Sequence, residues 1–149
     1  MKPERIWHVV MDDGRSRILR KLSGPHEPTP VEIVIQGKNR EMRDAFQDRP
    51  TRSFSSAGGG RRSAVEPSSD PIEADARAFM HEVLGYLEDQ EKAGAFDKLV
   101  VIAPPQTIGR WRAEISNSLQ TRVQKEIVKN LMQLSPPELV GAIRALSSG

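Results

Sequence analysis

The stretch IWHVVMDDGRSRILRKL, residues 6–22, decides how this chain folds. Ile6 to Met11 is an apolar run of six residues broken only by His8, and it reads as a buried strand. Asp12-Asp13-Gly14 then supplies a tight turn, and Arg15 to Leu22, with Ile18, Leu19 and Leu22 apolar, is a second strand. An antiparallel hairpin is therefore expected. The two aspartates also invite a metal reading, because acidic side chains at a strand end can serve a nuclease-like sheet protein. Two-metal hydrolysis needs several convergent carboxylates, and no other expected strand ends in an acidic pair, so the turn reading is favoured.

Working outward, a Pro-rich connection from Gly24 to Pro30 leads to Val31-Glu32-Ile33-Val34-Ile35, a third strand with Val31, Ile33 and Ile35 on one face. From Gly37 to Ser69 no period is sustained, apart from a short helical turn around Glu41 to Phe46. A loop of that length is uncommon inside a compact domain, and such loops are usually functional or disordered. Asp70-Pro71-Ile72-Glu73 then opens a helix, with an N-cap aspartate, proline in the first turn and glutamate three residues after the cap. Its apolar positions Ile72, Ala76, Phe79, Met80, Val83, Leu84 and Leu87 share one face, and Gly94 marks its end.

Lys98 to Ala103 is a continuous apolar run, the signature of an inner strand covered on both faces. Pro104-Pro105 start a second helix in which Ile108, Trp111, Ile115 and Leu119 form one buried stripe. Thr121 to Lys129, rich in β-branched residues, is a strand. Ser135-Pro136-Pro137-Glu138 is a second capping box before a helix with Leu139, Val140, Ile143 and Leu146 inward. This order predicts an α/β fold: a mixed central sheet with an N-terminal antiparallel meander and helices packed on it, forming a single domain over 1–149.

Composition sets the limits. A chain of 149 residues has the size of one ordinary domain and buries about 68–70% of the surface its unfolded form exposes. Cysteine is absent, which excludes disulfides, thiolate metal sites and a cysteine nucleophile. His8, His26 and His81 show no ligand spacing, so no metal is expected. The short apolar run at the N-terminus resembles neither a signal peptide nor a membrane span, and the expected compartment is the cytoplasm.

Charge is segregated along the chain. Residues 37–62 hold seven Lys/Arg against three Asp/Glu, whereas residues 63–92 hold two against eight. Within PTRSFSSAGGGRR, residues 50–62, and its preceding Arg49 there is no acidic residue. Arg49, Arg52, Arg61 and Arg62, with Phe54 among them and Gly58, Gly59 and Gly60 permitting close backbone approach, have the composition of a nucleic-acid or phosphate contact. The other reading is a flexible surface loop kept soluble by its arginines. Gly58-Gly59-Gly60-Arg61-Arg62-Ser63 is no P-loop, since it lacks the lysine and the preceding strand. Ser63, Ser68 and Ser69 lack a nucleophile-elbow pattern. The acidic positions Glu73, Asp75, Glu82, Glu88, Asp89 and Glu91 read as a solvated helix face, and Trp111 as core.

The segments IWHVVMDDGRSRIL, DRPTRSFSSAGGGRRSAVEPSSDPIEADARAF, LVVIAPPQTIGRWR and EIVKNL, taken in order, resemble the bacterial host attachment protein family across nearly the whole chain. That family is grouped with bacterial relatives of the archaeal and eukaryotic release factors. The resemblance implies a fold like the release-factor middle domain (RNase H-like), whose glycine-rich loop carries a Gly-Gly-Gln motif acting on peptidyl-tRNA. Here Arg61 stands where the glutamine would follow two glycines, and a guanidinium cannot reproduce an amide's hydrogen bonding. Termination activity is therefore not carried over. The expectation is a non-enzymatic, cytoplasmic module that contacts ribosomal RNA or tRNA through Arg49, Arg52, Gly58, Gly59, Gly60, Arg61 and Arg62, without a cofactor. The ribosome or a tRNA is the expected partner; a protein partner in attachment or biofilm formation, and hydrolysis of peptidyl-tRNA or a related ester, are the alternatives. No membrane partner is expected, and the oligomeric state is not readable.

Overall fold

The computed structural model describes residues 3–24, 26–37 and 70–148. Five strands, β1 (Ile6–Met11), β2 (Arg15–Leu19), β3 (Ile33–Gln36), β4 (Lys98–Ala103) and β5 (Val123–Val128), form one sheet in the order β3-β2-β1-β4-β5. The helices are α1 (Pro71–Lys92), α2 (Pro105–Glu114), the single turn α3 (Asn117–Gln120) and α4 (Pro136–Ser148). β1 pairs antiparallel with β2 and parallel with β4; β2–β3 is antiparallel and β4–β5 parallel. The sheet is mixed, as the sequence predicts.

Alternation along β1 explains the layers. Trp7, Val9 and Met11 face a core shared with Phe79, Met80, Val83 and Leu87 of α1 and with Ile108 and Trp111 of α2. Val10 faces the other way, into a second core with Leu19, Val100, Ile102 and the α4 residues Leu139, Val140 and Ile143. A strand covered on both sides must be apolar on both, which is why β4 reads as a continuous apolar run and β1 as one broken only by His8.

Local signals act where expected. The Asp70 carboxylate caps α1 by accepting from the Ile72 and Glu73 amides, at 3.0 and 3.4 Å. Gly94 beyond its C-terminus has φ +73°, a conformation that favours glycine. The Ser135–Glu138 box is reciprocal, with the Ser135 amide donating to Glu138 Oε1 at 3.0 Å and the Glu138 amide to Ser135 Oγ at 3.4 Å. These bonds hold the Glu138 carboxyl below its ordinary pKa, the Ser135 backbone bond contributing most.

Three expectations are corrected. Val31 does not join Ile33 and Ile35 inside but lies before the strand, 77% exposed, because β2 ends at Leu19 and the β2–β3 ladder begins at Ile18↔Ile33. Ile72 in the first turn of α1 is 44% exposed, since the helix begins at Pro71 ahead of its buried face. The second helix is two: Ile115 turns extended, and Ser116 caps the new turn by accepting from the Leu119 amide at 3.2 Å.

One charged side chain sits within this apolar frame. Arg17, opposite Val10 on β2, is 4% exposed. Its Nε and Nη2 donate to the two oxygens of Glu32, at 2.7 Å each, and its Nη1 donates to the carbonyls of Met132 and Leu134 at 3.1 and 2.7 Å. The guanidinium thus ties the chain before β3 and the segment before α4 to the second strand. Arg17→Ala would strand a carboxylate and two carbonyls, an expected cost of about 3–5 kcal/mol in urea unfolding. In Arg17→Ala/Glu32→Ala the loss is expected to fall short of the sum of the single losses.

His8, also on β1, is buried, with no hydrogen-bond partner for Nδ1. Burial lowers its pKa from the ordinary 6.5. The unfolded chain therefore takes up a proton before the folded one does as pH falls. The His8 contribution to stability is complete above pH 6.5 and declines below it, down to the lowered folded-state value. Urea midpoints measured against pH are expected to show a decline across that window that His8→Leu removes.

Candidate functional site

The residues singled out for phosphate contact, Arg49, Arg52, Gly58, Gly59, Gly60, Arg61 and Arg62, lie outside the described residues, as does nearly all of the expected loop over 37–69. What the structure does define is where that segment leaves the fold and where it rejoins it.

It leaves after β3, at Gly37, whose amide donates to the Gly14 carbonyl at 2.9 Å. A Cβ at Gly37 would lie 3.3 Å from Phe79 Cδ1 and 3.5 Å from the Gly14 oxygen, so a larger residue would crowd the β1–β2 turn. It rejoins at Asp70, the cap of α1. Both ends therefore meet at one end of the sheet, where β1 ends and β2 begins.

Two aspartates organise this end, in different ways. Asp12 Oδ1 accepts from the amides of Gly14 and Arg15, 2.9 Å each, and so builds the turn. Asp13 faces the helices: its Oδ1 accepts from Thr107 Oγ1 at 2.9 Å and from Arg110 Nε at 3.3 Å, both on α2. The other arms of Arg110 reach Glu73 in the first turn of α1, Nη2 donating to Oε1 at 3.0 Å and Nη1 to Oε2. One guanidinium thus joins the hairpin turn, the start of α1 and the body of α2. The Arg110 hydrogen bond is the main cause holding the Glu73 carboxyl below its ordinary pKa, and the same bond chiefly raises Arg110.

The sequence reading placed Glu73 on a solvated acidic face, and the structure corrects this. Glu73 is taken by Arg110, and Glu91 accepts from Ser118 Oγ at 3.2 and 3.1 Å and from Arg122 Nε at 3.2 Å. Thr107 and Arg110 lie three apart on one turn of α2, a spacing consistent with a shared partner, but nothing local names Asp13. A cleft of about 630 Å³ on the other side of β2, lined by Asp12, Arg15, Arg17, Glu32 and Asn130, is tied up by the Arg17–Glu32 pair. Among the described residues no group of three or more His, Asp or Glu is gathered to hold a metal ion, and no helix is long and apolar enough to cross a membrane.

The arrangement ties the β1–β2 turn, the start of α1 and α2 together. It fixes both ends of a cationic segment against the sheet. Arg110→Ala is expected to release the first turn of α1 locally, raising amide hydrogen exchange at residues 72–76 by about tenfold while leaving the β4 amides unchanged.

Comparison with known proteins adds a family. The model of a family described as "Protein required for attachment to host cells" matches residues 7–143. No curated protein matches. Among solved structures, an archaeal translation termination factor is similar with a TM-score of 0.43 and 9% identity, over 96% of this chain and 39% of that one. The present chain therefore spans well under two thirds of that factor.

Proposed function

This chain belongs to the family of proteins required for attachment to host cells, matched over residues 7–143, and on that premise we propose that it is a non-enzymatic binding module contacting ribosomal RNA or tRNA. The observation that carries the proposal is the joining of a segment with seven Lys/Arg against three Asp/Glu over residues 37–62 to a braced platform. Gly37 on Gly14, and Glu73 and Asp13 on Arg110, hold the two ends at one end of the sheet.

The chemistry follows from the residue types. Arg49, Arg52, Arg61 and Arg62 offer planar donors suited to phosphate oxygens, while Gly58, Gly59 and Gly60 let the backbone approach a narrow site. Anchoring both ends lowers the ordering entropy that binding must overcome. Cytoplasmic action on RNA makes any role in attachment indirect. The family description favours a second reading, a protein partner in the attachment process, which would use the helix faces rather than the arginines.

The test is co-sedimentation of the purified protein with bacterial ribosomes, for wild type and for the variant with all four arginines changed to alanine. Pelleting is expected to weaken by about 0.7–0.9 logarithmic units per tenfold salt for each phosphate contact, and to be lost in the variant. Absence of pelleting at low salt sinks the RNA reading; capture of a protein partner that survives the four substitutions supports the second.

A further inference from the structure

At the opposite end of the sheet from Gly14 and Gly37, a cavity of about 500 Å³ opens between the end of β2, the chain before β3 and the last turns of α1. Its ionisable lining is entirely basic or phenolic: Arg5, Arg20, Lys21 and Tyr86, with no carboxylate among the described residues. Arg5 is engaged by Asp97, which accepts from its Nε and Nη2 at 3.3 Å each. Arg20 and Lys21 are exposed and have no ion pair among the described residues. Two cations without an ion pair among the described residues therefore line a concave surface.

The remaining walls are apolar or planar. Val31, left 77% exposed when the β2–β3 ladder ends, is among the lining residues. Tyr86 and Gln90, one helical turn apart on α1, also line it, as does Trp7, whose ring meets Phe96 at a tilt with centroids 5.1 Å apart. The volume falls in the range typical of small-ligand sites, about 300–1,000 Å³.

We infer that this cavity binds a nucleoside monophosphate, with its phosphate on Arg20 and Lys21 and its base between Tyr86 and Val31. Arg and Lys supply the charge-assisted donors a phosphate needs, a phenol ring and an aliphatic side chain offer flat apolar contact to a base, and the Gln90 amide can donate to and accept from a base edge. The described residues that line this site are distinct from Arg49, Arg52, Arg61 and Arg62. It adds a small-molecule ligand to the reading above rather than extending it.

The test is titration of the full chain with AMP and with UMP, followed by tryptophan fluorescence and calorimetry, against adenosine, inorganic phosphate and a six-nucleotide oligoadenylate. Saturable binding of a mononucleotide is expected, with adenosine and phosphate each weaker by about tenfold or more, the scale of one lost charge-assisted contact. Arg20→Ala/Lys21→Ala is expected to weaken AMP by at least about tenfold. Val31→Glu, at an exposed position outside both cores, is expected to do likewise without altering the unfolding midpoint. The variant lacking Arg49, Arg52, Arg61 and Arg62 is expected to bind AMP as wild type does. No saturable mononucleotide binding, phosphate binding as tight as AMP, AMP binding unchanged in Arg20→Ala/Lys21→Ala, or binding of the oligomer alone would each overturn the proposal.

Discussion

The double burial of β1 is the constraint on which the rest of the structure depends. Its odd-numbered residues Trp7, Val9 and Met11 belong to one core and Val10 to the other, so neither helical layer can form without this strand in place. β4 must then run parallel beside it in the register Trp7↔Leu99 to Val10↔Ile102, equally apolar on both sides. A parallel neighbour needs a crossover, which α1 supplies by covering one face. The buried polar exceptions are accommodated in different ways. Arg17 has four donated hydrogen bonds, whereas burial lowers the pKa of His8 and so disfavours its charged form.

The sequence is most legible where the physics is local. The Asp70 and Ser135 caps, the Asp12 turn and the Gly94 terminus each rest on residues within a few positions of one another, and each takes the expected form. Trp111 is core, as its spacing implied. The break between α2 and α3 escaped because Ile108, Trp111, Ile115 and Leu119 keep a helical spacing of buried residues even though the backbone does not. Val31 was misplaced because the reach of a strand depends on its partner, and β2 stops first.

The candidate site was only half legible. Its cationic composition is plain from Arg49 to Arg62, but the platform depends on pairings across long separations. Arg110 meets Asp13 and Glu73, 97 and 37 positions away. No periodicity encodes such contacts, which arise only after the sheet has brought the β1–β2 turn beside the helix ends. The cavity lined by Arg20 and Tyr86 is of the same kind, assembled from segments before, within and after the hairpin.

The two outer strands have a consequence for the protein in a crowded solution. Among the described residues β3 and β5 each pair on one side only, which leaves backbone donors and acceptors along the rim of the sheet. β3 is only four residues long, and β5 sets Gln124, Lys125 and Glu126 in its middle. A short strand offers little length for another chain to zip against, and a row of charged and amide side chains disfavours stacking of one copy on the next. Among the described residues the sheet has five strands, and both rims carry features that work against edge-to-edge pairing between copies.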